Sequence, residues 1–244
     1  IHYNLKSTID QRMIKNGDIL IHCAYDFSLK SWEEILKANV EGSVRLLKDA
    51  KSAGVKKLIF ISTLSAFEGC KSLYGRAKLC IEKEASNLGA FIIRPGLIYG
   101  KELGGMVGAL KRAVSISPFI PLIKSGKQVF YLCHYDDLAF LIEKLSLDNS
   151  EYKKPIVAAS EKGVTLKEIL KILAKSINKK IIFINLPYLP ILLGLKIMDL
   201  TPIKIGFRSD SLISLMNLNP DIDFSETRKT GVVFREFNLD SLQQ

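Results

Sequence analysis

Three features of the sequence predict an α/β fold built on a parallel sheet. There are short apolar runs that close on turn residues, amphipathic helical stretches between them, and a regular alternation of the two. GDILIHCAY (17–25) opens on a turn glycine and continues as a short apolar stretch, the pattern of a buried parallel strand. SWEEILKANVEGSVRLLKDAKSAG (31–54) follows as a helix. Ser31 and Glu34 have the spacing of a capping box, Ile35, Leu36, Val40, Leu46 and Leu47 form an apolar stripe, and Gly54 stops it. KKLIFIS (56–62) reads as a second buried strand, 73–87 as a helix, and GAFIIRPG (89–96) as a third strand ended by Pro95-Gly96. After Gly100 the rhythm loosens. KQVFYLCHYDDLAFLIEKL (127–145) is a strand entering a helix, KPIVAAS (154–160) a last short strand, and TLKEILKILAKSI (165–177) a helix capped by Thr165 with Glu168. The remainder is rich in Pro and Leu and ends in a polar tail.

Composition narrows the function classes. At 244 residues and 48% apolar, the chain is long enough for one large domain or two joined lobes with a sizeable core. A net charge of +10 raises nucleic acid or an acidic membrane surface as partners, but the lysines are spread along helix faces and turns. No basic run is interleaved with aromatics, so nucleic acid is not expected. The four cysteines (Cys23, Cys70, Cys80, Cys133) form no CxxC pair and the three histidines (His2, His22, His134) no cluster, so no metal is expected and a reduced, cytoplasmic setting fits. No signal peptide opens the chain, and the most apolar segment, 181–200, is interrupted by two prolines, Asn185, Lys196 and Asp199. It reads as a buried or lid-like segment and not as a membrane span. The chain begins at Ile1, and IHYNL has the look of a strand end already inside a domain, so a preceding portion is expected.

In parallel α/β sheets ligands bind beyond the carboxyl ends of the strands. Ala24-Tyr25, Ser62-Thr63 and Arg94-Pro95-Gly96 fall at such ends, and SLYGRAKL (72–79) places Tyr74 and Lys78 one helical turn apart on the helix that follows. A phenol beside an ammonium is a chemical device, because the positive charge favours phenolate.

Taken in order, DILIHCAY, ANVEGS, LIFISTLSAF, YGRAK, FIIRPGLIYG and HYDDLA resemble the extended short-chain dehydrogenase/reductase family, the NAD(P)-dependent epimerase/dehydratase group; NLNPDIDFSETRKTGVVFREF resembles its closing segment. The resemblance implies a Rossmann-like doubly wound parallel sheet, N-terminally incomplete, with a smaller, mostly helical C-terminal substrate lobe. The implied division is 1–115 with 128–160 for the dinucleotide-binding core, and 116–127 with 161–244 for the lobe. It implies Tyr74 as the catalytic tyrosine passing a proton to or from a substrate oxygen. Lys78 would lower the tyrosine pKa and hold the nicotinamide ribose, and Thr63, which the strand-end register favours over the alternative Ser62, would be the second hydroxyl on the substrate oxygen. Cys23, Ala24 and Tyr25 match the segment under the dinucleotide. Ser62, Arg94, Pro95 and Gly96 join Tyr74 and Lys78 on the cofactor side, and Tyr99 and Arg208 join Thr63 on the substrate side. Asn39, an amide among apolar neighbours, reads as buried structural support. Asp136-Asp137 match a structural pair at a helix N-terminus, and His134 reads as a packed core residue. The cofactor implied is NAD or NADP, and the partners are a small-molecule substrate, a nucleotide sugar among the candidates, and a homodimer of the kind usual in the family.

The sequence also departs from that pattern. The family's GxxGxxG phosphate loop is absent from these residues, and Gly104, Gly105 and Gly108 do not follow the first strand or match its spacing. The acid pair that sugar dehydratases carry after the catalytic threonine is replaced by Leu64 and Ser65, which argues against a 4,6-dehydratase. Phe130 stands where nucleotide-sugar enzymes often place a diphosphate-clamping arginine. The expected function is therefore an NAD(P)-dependent epimerase or reductase of a nucleotide sugar. Two alternatives stand beside it: a reductase or dehydrogenase of a small or hydrophobic alcohol or ketone, and a non-catalytic dinucleotide-binding or scaffold relative.

Overall fold

The computed structural model describes residues 4–242 apart from 6, 8, 16, 102, 103 and 201–207. Most of the strand end expected at 1–5, and the last two residues of the polar tail, lie outside them. In chain order the elements are β1 (Ile19–His22), α1 (Trp32–Ile35), a π-helical segment (Leu36–Glu41), α2 (Gly42–Ser52), β2 (Lys57–Ile61), α3 (Leu73–Asn87), β3 (Phe91–Pro95), β4 (Leu97–Tyr99), α4 (Gly105–Ile116), β5 (Phe119–Leu122), β6 (Val129–Phe130), β7 (Leu132–His134), α5 (Tyr135–Leu147), β8 (Ile156–Ala158), β9 (Val164–Thr165), α6 (Leu166–Ser176), β10 (Ile182–Asn185), α7 (Tyr188–Asp199), α8 (Ser209–Met216) and α9 (Ser225–Thr230).

These elements form two compact units. The first comprises Ile1–Arg94, Leu141–Val157 and Asn219–Gly231; the second comprises Pro95–Phe140, Ala158–Leu218 and Val232–Gln244. The division differs from the expected 1–115 with 128–160 against the rest. The cause is strand pairing: β4 pairs in parallel with β7, Tyr99 opposite His134, so the segment after Pro95 belongs to a different sheet.

The first unit is built on a sheet of order β1-β2-β3-β8. β1 and β2 pair in parallel with His22 opposite Phe60, and β2 and β3 in parallel with Ile61 opposite Ile93. β2 is apolar in succession because both faces are covered: Leu58, Ile59 and Phe60 are all buried. The helix expected over 31–54 forms in three segments, opened by the Ser31–Glu34 capping box. Leu47 and Ala50 from α2 meet Ala77, Ile81 and Ala85 from α3 and Phe60 from the sheet in one core. Burying a side chain such as Leu47 or Ile81 contributes roughly 1.5–3 kcal/mol. β1 is less buried than its apolar run suggests, with Ile19 and Ile21 38% and 44% exposed. It stands at the end of the row of strands, and the described residues leave its outer face uncovered.

The second unit holds three two-stranded pairs, β4-β7, β5-β10 and β6-β9, with α4 and α6 packed on each other around a core that includes Tyr99, Leu122, Leu132, Ile169 and Leu173. α6 has the Thr165–Glu168 capping box that its sequence predicts. Segment 181–200 was expected to be buried or lid-like, yet α7 contains no buried residue. One side of it packs on this core through Ile191, Leu192 and Leu195, and the other side does not.

Candidate active site

In the first unit the ends of β1 and β2 and the start of α3 bring chemistry-bearing side chains together. Ser72 caps α3, accepting from the Gly75 N–H at 3.1 Å, so the helix starts just before Tyr74. Gly75 is required at that point: a Cβ on it would lie 2.3 Å from the Ser65 carbonyl oxygen, so only glycine lets α3 sit against the loop after β2. That loop is shaped by Thr63, whose hydroxyl accepts from the Ser65 N–H at 3.2 Å and shares a hydrogen bond with the Tyr74 hydroxyl. The Tyr74 ring stands edge-on to Tyr25 at 4.9 Å and lies 5.4 Å from the Phe27 ring.

Lys78, one turn further along α3, is buried. Its Nζ donates to the Ile61 carbonyl at 2.7 Å and sits 4.7 Å from the Phe60 ring centre and 5.5 Å from that of Tyr25. Burial lowers the Lys78 pKa to about 8, against the raising pull of Cys23 and Glu82. Burial likewise pushes Tyr74 up to about 12, opposed only by the bond to Thr63. The expectation that Lys78 depresses the Tyr74 pKa is thus corrected. With the ammonium held by Ile61, desolvation of the phenol dominates and Tyr74 is a phenol at neutral pH.

Glu82, a further turn along α3, is a functional neighbour that sequence reasoning missed. It is buried, accepts from the Ser62 hydroxyl at 2.5 Å, and pairs bidentately with Arg94 through Nε at 2.8 Å and Nη2 at 2.6 Å. Ser62 and Arg94 were expected on the cofactor side. Both are engaged by Glu82, which ties the ends of β2 and β3 to α3. The signal available in the sequence was spacing, since Tyr74, Lys78 and Glu82 follow i, i+4, i+8.

His22 was also missed. It is 2% exposed at the end of β1, stacks on Phe60 at 5.7 Å, and its Nε2 has no hydrogen-bond partner among the described residues. Burial first, and the Lys78 charge second, lower its pKa to about 4, so it is neutral. Cys23 and Ala24 are exposed at the same strand end, and desolvation raises the Cys23 thiol while Lys78 opposes it. Asn39, fully buried in the π-helical segment, pairs both ways with Asp26: the Asp26 N–H donates to Oδ1 at 2.7 Å and Nδ2 donates to the Asp26 carbonyl at 3.0 Å. That pair fixes the loop carrying Tyr25 and Phe27.

The remaining expected residues fall in the second unit. Pro95 is buried there, and Gly96 is held for a packing reason: a Cβ would lie 2.1 Å from the Tyr131 carbonyl oxygen. Tyr99, expected to touch substrate, is 2% exposed in the core, edge-on to His134 at 5.1 Å and Phe237 at 4.9 Å. Arg208, expected to contact phosphate, has Nε 3.7 Å from the Asp199 carboxylate at the end of α7. Phe130 is buried in the same core, so its apolar character serves packing. Asp137 at the start of α5 receives the Arg235 backbone and side chain at 2.9 Å each, and His134 is fully buried.

The model of the NAD dependent epimerase/dehydratase family matches residues 6–157, and the chain belongs to that family. A UDP-glucose 4-epimerase from Vibrio cholerae is 29% identical over 136 residues, which are 45% of this chain and 42% of that protein's length. Among solved structures, MoeE5 in complex with UDP-glucose and NAD matches with a TM-score of 0.73 at 16% identity, covering 99% of this chain and 82% of that one. UDP-glucose 4-epimerase from Thermotoga maritima, solved with UDP-glucose, matches with a TM-score of 0.69 at 18% identity, covering 99% and 81%. The chain shares their fold.

Proposed function

We propose that the chain carries the proton-transfer half of an NAD(P)-dependent hydride-transfer site, acting on a nucleotide sugar as an epimerase or reductase. The observation that carries this is the hydrogen bond between Tyr74 and Thr63 at the carboxyl end of a parallel sheet, with the Lys78 ammonium one helical turn away. Two hydroxyls on one point are what a reacting carbinol or carbonyl oxygen requires: one moves the proton, the other fixes the oxygen. Bound nicotinamide would supply and accept the hydride. The donor set fits such a cofactor. Of the three N–H donors on Lys78, the Ile61 carbonyl takes one, which leaves donors for ribose hydroxyls. Cys23 and Ala24, exposed at the end of β1, would lie along the dinucleotide.

With its pKa near 12, Tyr74 stands ready as the acid, protonating a substrate oxygen that gains negative character. Giving up that proton leaves Tyr74 as the phenolate; in the reverse sense the phenolate takes the proton from a substrate hydroxyl and returns to the phenol. The nucleotide-sugar substrate draws on the epimerase relatives. The test is Tyr74→Phe in the protein supplied with NAD(P) and UDP-glucose or UDP-galactose. Turnover should fall by roughly 10²–10⁴-fold while cofactor affinity and melting temperature stay put. Undiminished turnover would remove Tyr74 from the proton path.

A further inference from the structure

The second unit presents a surface that the proposed chemistry does not use. On α7, Leu189, Leu193 and Ile197 follow i, i+4, i+8 on the side away from the core and are 72%, 61% and 58% exposed. Leu200, just past the helix, is 89% exposed. The β5-β10 pair, which leads into α7, has an outward face of the same kind. Its register sets Phe119 beside Ile182 and Pro121 beside Ile184, and all four are exposed.

At the start of β10, where this surface begins, the charge is of one sign. Lys167, Lys171 and Lys175 recur every fourth residue along α6, Lys179 and Lys180 follow, and Glu168 is the sole acidic residue from 162 to 196. Lys171, Lys175, Lys179 and Lys180 line an open cavity of about 330 Å³. Lys179 donates to the Ser115 carbonyl, Lys167 lies over the Phe183 ring at 5.5 Å and Lys171 interacts with Glu168, while Lys175 and Lys180 are in no ion pair among the described residues.

We infer that this face, formed by the outer sides of α7 and β5-β10 with the α6 lysine row, binds the surface of a bilayer containing anionic phospholipid. Apolar side chains together with exposed lysines complement an interface where acyl chains lie beneath phosphate groups. At 12 residues, α7 is about 18 Å long, enough to lie in that interface and too short to cross it. No helix among the described residues is long and apolar enough to cross a membrane.

The test is co-sedimentation of the purified protein with vesicles of phosphatidylcholine alone and of phosphatidylcholine with roughly one-third phosphatidylserine. Binding should require the anionic lipid and weaken as salt is raised. A Lys171→Gln, Lys175→Gln, Lys180→Gln variant should bind about a hundredfold more weakly, at roughly fivefold per lysine. A Leu189→Ser, Leu193→Ser variant should bind more weakly and lose the component that survives high salt. The lysines are exposed and outside the core, so the first variant folds even where the second does not; melting curves check both. Absence of binding to anionic vesicles, or unchanged binding by both folded variants, would overturn the inference. A dimer that the leucine variant dissociates, with no vesicle binding, would assign the face to a second copy.

Discussion

Helices α3 and α7 carry side chains at the same spacing and use them in opposite ways. Tyr74, Lys78 and Glu82 on α3 and Leu189, Leu193 and Ile197 on α7 are both i, i+4, i+8 series. In α3 the polar series is enclosed, with Lys78 and Glu82 2% and 4% exposed, and each group has a partner: Thr63, the Ile61 carbonyl, or Ser62 with Arg94. In α7 the apolar series faces outward. Spacing decides that three residues share a face; what the neighbouring elements offer decides whether that face is covered. Buried polar groups on α3 persist because each desolvated atom is met by a donor or acceptor.

The comparison breaks at its strongest point with Tyr74→Phe. The hydroxyl contributes little to packing, so the expected loss of roughly 10²–10⁴-fold in turnover comes with an unchanged melting temperature. Next in size is Glu82→Ala, which leaves Arg94 desolvated and unpaired beside an orphaned Ser62 hydroxyl. Chemical denaturation should show a loss of roughly 3–5 kcal/mol, and a Glu82→Leu, Arg94→Met double variant should recover most of it. If Glu82→Ala is no less stable than the parent, the buried pair is not holding the strand ends.

His22 sharpens the comparison through pH. Its pKa falls from 6.5 in the unfolded chain to about 4 in the fold, so between those values the unfolded chain binds more protons and stability drops as pH falls. The loss reaches roughly 3 kcal/mol below pH 4, is absent above about pH 6.5, and should vanish in His22→Phe. Lys78, lowered from 10.5 to about 8, acts on the alkaline side. The unfolded chain again binds more protons, so stability rises as pH climbs through that window. Denaturant melts across pH would show both slopes. The smallest effect belongs to α7: Leu193→Ser, on the exposed series, should change stability by no more than about 0.5 kcal/mol, whereas Ile81→Ala in the α3 core should cost roughly 2–5 kcal/mol. A large loss for Leu193→Ser would mean that the outer side of α7 is covered after all.

The sequence by itself determined β1 to β3, the helices from α1 to α3, and α5, β8 and α6, and left α4, α7, α8 and α9 unread. Apolar runs of strand length with covered faces made β2 and β3, capping pairs at Ser31–Glu34 and Thr165–Glu168 opened helices where expected, and the Tyr74–Lys78 spacing put both residues on one face of α3. These are local facts, written in neighbours within a turn or a strand. The Gly75 requirement, the engagement of Ser62 and Arg94 by Glu82, and the burial of Tyr99 and Phe130 were decided only by tertiary structure, because each depends on atoms distant in the chain. So was the direction of the Tyr74 pKa, since desolvation is set by everything packed around the phenol and is opposed only by the bond to Thr63.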